Sequence, residues 1–300
     1  MSAAVLLLAH GTPDSPAEVP AYMKNITGGR PIPAEVMQEV QHRYGLIGPS
    51  PLTQITLRQA AALREQVHVP VYVGMRNWHP FIADVVKQIM SNGITHVVAL
   101  CLAPHNSRTS VGLYRRALEQ AAGGGLEIHF IAHWHDEPLL IDAFAERLSS
   151  ALPDATTPII FTAHSVPCKT ICADESGAGD PYSTQAKHTA ELIARKLGIA
   201  DERWFFAFQS QGMSGATWIG PTVEATLDAL AKAGHRRVLI QPIGFVCDHV
   251  EVLYDIDIAF KEYAAQRGME LGRTASLNDS PTFIAALAHV IQVRIAAMAV

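Results

Sequence analysis

The chain has 300 residues, of which 49% are hydrophobic and 17% charged, with a formal net charge of −5. At about 100–200 residues per domain this length predicts two domains. The apolar share excludes a disordered chain, and the mildly acidic balance excludes nucleic acid as a main partner.

The first apolar run, at 5–9, is strand-length and has no basic leader, so it reads as a β-strand rather than a signal peptide. Further strands are predicted at 69–74, 96–102 and 127–132. A second series follows at 158–163, 203–208, 237–242 and 269–273. The stretches between them, at 51–66, 80–92 and 184–197, carry apolar residues at i, i+3, i+4 spacing and predict helices. Strand–helix alternation of this kind predicts parallel sheets covered by helices on both faces.

The two series resemble one another. Val5-Leu6-Leu7-Leu8-Ala9-His10-Gly11-Thr12-Pro13 parallels Ile160-Phe161-Thr162-Ala163-His164-Ser165-Val166-Pro167. The segment from Gly93 to Leu100 likewise parallels that from Gly234 to Ile240. The chain therefore reads as two copies of one α/β unit, 1–150 and 151–300, divided at 149–157, where Ser149, Ser150, Pro153, Asp154 and Pro158 give linker chemistry. The closing stretch at 283–300 is apolar but interrupted by His289, Gln292 and Arg294. It falls short of the ~20 clean residues of a membrane span and predicts an amphipathic helix packing back on the fold.

Cys101 and Cys247 lie in apolar surroundings and read as buried thiols. Cys168 and Cys172 form a lone C-x₃-C pair, too few ligands for a metal cluster, and no cysteine follows Cys247. This usage fits a reducing, cytoplasmic compartment rather than a disulfide framework.

In doubly wound sheets, ligands sit beyond the carboxyl ends of the strands. Polar residues gather at those ends here: His10, then Pro104-His105-Asn106-Ser107, His164-Ser165, Gln209-Ser210-Gln211-Gly212 and Asp248-His249-Val250-Glu251. Asp248 suits a helix N-cap, with Glu251 closing a capping box. If that helix continues, Glu251 and Asp255 share one face at i, i+4, a carboxylate pair that suits a cation. His164 can accept a proton or offer a neutral nitrogen to a metal. His164 and Glu251 together would hold a divalent ion with open positions, as suits a metal in transit. No G-x-G-x-x-G opens a helix, Gly177-Ala178-Gly179 sitting in a polar insert, and Ser214 is wrongly spaced for a G-x-S-x-G nucleophile.

Four pieces in order resemble the ferrochelatase family. They are Ala163-His164-Ser165-Val166-Pro167, Gly179-Asp180-Pro181-Tyr182 with Gln185, Gln209-Ser210-x-Gly212 with Trp218 and Pro221, and the run from Pro242 to Asp257. The resemblance implies two Rossmann-like domains with parallel four-stranded sheets, a porphyrin site between them and ferrous iron as a substrate. No prosthetic group is expected, and the cysteine pattern leaves no iron–sulfur cluster. The resemblance makes His164 and Glu251 the catalytic and metal-site pair, with Asp255 on the metal path.

Arg43-Tyr44-Gly45-Leu46-Ile47-Gly48 and Ser50-Pro51-Leu52 are similar to the family's propionate loop, a role that arginine and hydroxyl donors suit. Their other reading is a glycine-capped helix end. Substrate-binding roles are expected for His10, Arg43, Tyr44, Ser50, Ser107 and Thr109. Leu102-Ala103-Pro104-His105-x-Ser107 resembles the coproporphyrin-using branch, so coproporphyrin III is expected ahead of protoporphyrin IX.

His10 stands where that branch generally carries a tyrosine. It reads either as an axial iron ligand or as a residue bonded to the Gly11-Thr12 turn. Thr27-Gly28-Gly29-Arg30 has fewer basic residues than the branch often shows. A cobalt or nickel chelatase of another tetrapyrrole, kept open by His249 and His105, and a non-catalytic haem or porphyrin carrier are the competing readings.

Overall fold

A computed structural model describes residues 2–172, 179–212 and 215–298; Gly177, Ala178 and Ser214, and most of the polar insert that follows Cys172, lie outside the described residues. The elements run β1 (Ala3–Ala9), α1 (Val19–Thr27), α2 (Ala34–Ile47), α3 (Leu52–Val67), β2 (Val71–Met75), α4 (Ile82–Ser91), β3 (His96–Cys101), α5 (Val111–Ala122), β4 (Glu127–Ile131) and α6 (Pro138–Ala151). They continue with β5 (Ile159–His164), α7 (Cys168–Ile171), α8 (Tyr182–Lys196), β6 (Trp204–Gln209), α9 (Val223–Lys232), β7 (Arg237–Pro242) and α10 (Val250–Leu253). A π-helical stretch, Asp255–Phe260, leads into α11 (Lys261–Ala265), β8 (Glu270–Arg273) and α12 (Pro281–Met298).

The eight strands form two four-stranded sheets, ordered β2-β1-β3-β4 and β6-β5-β7-β8, and every pairing is parallel. The two orders are the same pattern displaced by four strands, which is the duplication read from the sequence. All eight strands occur where the apolar runs place them, within one or two residues at each end.

The first compact unit comprises Met1–Trp134 with Asn278–Val300. One face of its sheet, through Leu6, Leu8, Val97, Ala99 and Cys101, packs on Val85, Val86 and Ile89 of α4 and on Tyr114 and Leu118 of α5. The alternate residues Val5, Leu7, Val98 and Leu100 are also fully buried. A strand buried on both faces reads as a continuous apolar run, which is why β1 and β3 were conspicuous in the sequence.

Helix α12 packs on α3 and β3, burying Phe283, Ile284, Leu287 and Ile291. By length and composition alone it is long and apolar enough to cross a membrane despite His289, Gln292 and Arg294, a test that a buried core helix also passes. Among the described residues it is the one helix that meets this test.

The second compact unit is His135–Leu277. The units divide after Trp134 and after Leu277, whereas the linker chemistry at 149–157 falls inside the second. There α6 joins its own sheet, the Gln241 side chain donating to the Phe144 carbonyl at 2.8 Å. Asp154 closes a local turn by accepting the backbone N–H groups of Thr156 and Thr157 at 2.8 and 2.7 Å. Turn-forming residues mark a loop equally well within a domain and between domains.

One face of the second sheet packs Ile160, Ala207, Val238 and Ile240 against Leu227 and Leu230 of α9 and against Val252, Ile256 and Phe260. Burying each of the last three contributes about 1.5–3 kcal/mol. That apolar stripe anchors α10 and the π-helical turn to the sheet. Glu251 is thereby fixed beside the carboxyl ends of β5 and β6.

Candidate active site

His164 is the last residue of β5. Its Nδ1 bonds to the carbonyl of Ser165, which turns Nε2 away from its own backbone. Ser165 is held in turn, its N–H donating to Gln209 O at 2.7 Å and its hydroxyl to Ile219 O at 2.8 Å. Tyr182 donates its hydroxyl to the His164 carbonyl at 2.9 Å. The rings of Phe245 and Trp218 flank the imidazole, at centroid distances of 6.3 and 6.4 Å.

The freed Nε2 stands 3.3 Å from Oε1 of Glu251, while His249 Nε2 lies 3.5 Å from the other carboxylate oxygen. Both members of the His164–Glu251 pair are about one-third exposed. Burial opposes the imidazolium, but the Glu251 charge, the hydrogen bond to it and the Ser165 carbonyl outweigh burial and raise His164 to about 9. Burial likewise opposes the carboxylate, yet the His164 charge and the hydrogen bonds from His164 and His249 hold Glu251 well below the usual range. Near neutral pH the pair is thus a carboxylate and an imidazolium sharing one proton, and it titrates as a unit.

Glu251 lies on α10 but is not part of a capping box. His249 occupies the N-cap position, and the carboxylate of Asp248 is taken by Ser276 Oγ at 2.7 Å and Arg273 Nη1 at 3.3 Å. Arg273 also pairs with Asp257 at 2.8 Å, so β8 supplies a cation that outcompetes helix capping for Asp248. The expected single helix through Glu251 and Asp255 is interrupted as well. The chain enters the π-helical stretch at Asp255, which is buried and accepts a hydrogen bond from Ser210 Oγ. Single π turns inside helices recur at functional sites because they re-aim side chains. Ser210 itself has φ +61°, a left-handed conformation costly for a residue with a Cβ.

Gln209 was visible in the sequence only as a motif position. Its buried side chain donates to the Glu251 main-chain carbonyl at 2.9 Å and accepts the Thr162 hydroxyl at 2.6 Å, tying β5, β6 and α10 together. Gly244 was likewise visible only as a motif member. A Cβ there would fall 2.7 Å from the Ala163 Cα and 2.9 Å from its Cβ, so only glycine lets the loop after β7 pass the end of β5.

In the first unit, His10 follows β1 with both ring nitrogens engaged. Asn77 Nδ2 donates to Nε2 at 2.9 Å, and Nδ1 lies 3.1 Å from the Gly11 carbonyl and 3.0 Å from the Tyr22 hydroxyl. The bond to Gly11 is the turn contact weighed as the alternative to iron ligation. Tyr44 is buried with its hydroxyl 3.1 Å from Thr12 Oγ1, and Arg43 pairs with Glu39 at 2.7 Å. Ser107 and Thr109 are brought together after β3, their hydroxyls 3.0 Å apart.

Ser50 and Thr53 lie at the amino end of α3. Both side-chain hydroxyls are buried without a hydrogen-bond partner. Thr53 was missed, and its threonine-within-a-helix context carried no signal. Two orphaned hydroxyls at a helix N-terminus fit an anionic group.

The profile of the Ferrochelatase family matches residues 2–295. A ferrochelatase of Acidobacterium capsulatum is 56% identical over 305 residues, covering 97% of this chain and 94% of that protein. A coproporphyrin III ferrochelatase of Geobacillus sp. (strain WCH70) is 36% identical over 308 residues, covering 97% of both. The solved structure of SirB from Bacillus subtilis with Fe3+ aligns with a TM-score of 0.65 at 12% identity, covering 98% of this chain and 96% of that one, a likeness of fold alone. The family matched over nearly the whole chain is one of metal chelatases. The chain belongs to the ferrochelatase family, and its substrates are accordingly a porphyrin and iron.

Proposed function

We propose that this enzyme inserts ferrous iron into coproporphyrin III, with protoporphyrin IX a poorer substrate, and that His164 and Glu251 carry the chemistry. The observation that supports this most is the His164–Glu251 pair, 3.3 Å apart at the carboxyl end of β5. Insertion replaces two pyrrole N–H protons by Fe2+, so the site must admit a cation and remove two protons. Fe2+ arriving beside Glu251 substitutes for the imidazolium charge and lowers the proton affinity of His164. His164 then sheds its proton to solvent, and the released Nε2 takes the two pyrrole protons one after the other, passing each to solvent as Fe2+ enters the ring. Asp255, next along the turn and held by Ser210, is the carboxylate that hands the ion to Glu251.

In the first unit, Ser50, Thr53, Ser107, Thr109, Arg43 and Tyr44 are the proposed carboxylate-binding groups. The unpartnered hydroxyls of Ser50 and Thr53 support this, because a propionate would satisfy both. His10 would line the ring and could ligate iron only by exchanging the Asn77 bond to its Nε2. Preference for the tetra-carboxylate porphyrin draws further support from the Geobacillus relative's name. A cytoplasmic location belongs to the same reading, supported by the buried thiols Cys101 and Cys247.

A second reading, a cobalt or nickel chelatase, is favoured by one feature: the second imidazole, His249, on the same carboxylate. Comparing kcat/KM for coproporphyrin III, protoporphyrin IX and sirohydrochlorin, each with Fe2+ and Co2+, separates these readings. Iron with coproporphyrin III should be the best pair. Replacing Ser50 and Thr53 by Ala and Val should raise the KM for coproporphyrin about tenfold, as expected for lost hydrogen bonds to a charged group. A higher kcat/KM for protoporphyrin would overturn the substrate assignment.

A further inference from the structure

The amino end of the first sheet carries a second group of metal-ligand residues, unrelated to the pair at His164. β3 opens with His96 and the edge strand β4 with Glu127, and the parallel register sets His96 opposite Glu127 and Val98 opposite His129. Side chains at 96, 127 and 129 therefore leave the sheet on one face. His96 Nδ1 lies 3.5 Å from His129 Nε2 and 3.5 Å from Glu127 Oε2, and His129 Nε2 lies 3.2 Å from Glu127 Oε1. One donor atom from each of the three side chains lies within 4.8 Å of the other two.

These separations are at or beyond the long end of the hydrogen-bond range. They match the edge of a coordination tetrahedron: ligand bonds of about 2.0–2.1 Å at the tetrahedral angle put donor atoms about 3.3–3.4 Å apart. The two imidazoles are mostly buried, 18% and 20% exposed, and stack at 5.8 Å with an interplanar angle of 21°. Their orientation is therefore set before any ion arrives. Glu127, 62% exposed, is free to close over the ion from solvent.

We propose that His96, His129 and Glu127 form a binding site for a first-row divalent transition ion such as Zn2+ or Co2+. Two imidazoles and one carboxylate select such ions over Mg2+ and Ca2+, which prefer all-oxygen shells. Three protein ligands leave one position for water, so the ion is exchangeable. Bridging β3 to β4, it clips the edge strand to the sheet at the end opposite His10 and Ser107.

Equilibrium dialysis of the full chain against Co2+, with the visible absorption of tetrahedral Co2+ as a second readout, tests this. The double variant His96→Gln, His129→Gln should lose about one bound Co2+ per chain and the tetrahedral spectrum. Glu127→Gln, a surface change that keeps the fold, should weaken the same site at least tenfold, roughly the factor a lost ligand contact brings. Neither should alter iron insertion. His164→Ala should keep the site and its sensitivity to Glu127→Gln, so failure of the catalytic assignment does not touch this one. Unchanged Co2+ stoichiometry and spectrum in Glu127→Gln and in the double variant would overturn the proposal.

Discussion

Gln209 and Glu251 are joined by a hydrogen bond from the side-chain amide of the first to the main-chain carbonyl of the second, 2.9 Å long. The bond fixes where α10 starts relative to the sheet, and so where the Glu251 carboxylate meets His164. Gln209→Leu should therefore lower kcat for iron insertion about ten- to a hundredfold, the cost of a small misplacement of a reacting group, with little change in porphyrin KM. The buried Thr162 hydroxyl loses its acceptor in the same variant, which should cost about 1–3 kcal/mol of stability. A simple stability defect would leave the His164 titration unmoved. Positioning by Gln209 predicts instead that the His164 pKa falls as Glu251 drifts away.

The proton shared by His164 and Glu251 makes the site pH-dependent in a defined direction. His164 should titrate near 9 in the metal-free protein, followed by its imidazole NMR signals, and should fall toward or below its ordinary 6.5 in Glu251→Gln, where burial loses its main opponent. Because metal must displace that proton, Zn2+ affinity at the pair should rise up to about tenfold per pH unit from neutrality to pH 9. The same pair affects folding. The raised His164 stabilises fully below its unfolded value near 6.5, and the benefit fades as pH climbs through 9. The depressed Glu251 stabilises above its ordinary value and loses that contribution as pH falls through its lowered pKa. A His164 signal titrating near 6.5 in the wild type would contradict the shared proton.

Gly244 is required by close approach, with no room for a methyl group against Ala163. Gly244→Ala should destabilise the protein by about 1–3 kcal/mol, the usual cost of overpacking, read as a lower urea midpoint. Wild-type stability in that variant would mean the loop after β7 is not pinned to β5.

Strand positions were legible because β1, β3, β5 and β7 are mostly buried on both faces and appear as largely apolar runs. His164 and Glu251 were legible because strand ends in a doubly wound fold are where polar residues face ligands. What the sequence concealed was the competition among polar partners. Asp248 looks like a helix cap until Arg273, 25 residues on, is seen to hold it. Asp255 looks like the next turn of an α-helix, yet the chain widens to a π turn whose i, i+5 bonding has no distinctive residue signature. The boundaries of the two units were hidden, since α12 packs on β3 from the far end of the chain. The unpartnered state of Ser50 and Thr53 is a property of their surroundings, which no local pattern encodes.

His164 and Glu251 are proposed to perform iron insertion together. Anaerobic single-turnover insertion of Fe2+ into saturating coproporphyrin III, in wild type, His164→Ala and Glu251→Gln, tests it most directly. Each substitution should slow insertion by at least about a hundredfold, the scale of a lost general base or charge partner, while coproporphyrin binding measured by fluorescence quenching stays within about twofold. Insertion at near wild-type rate by either variant, with the porphyrin bound, would contradict the account.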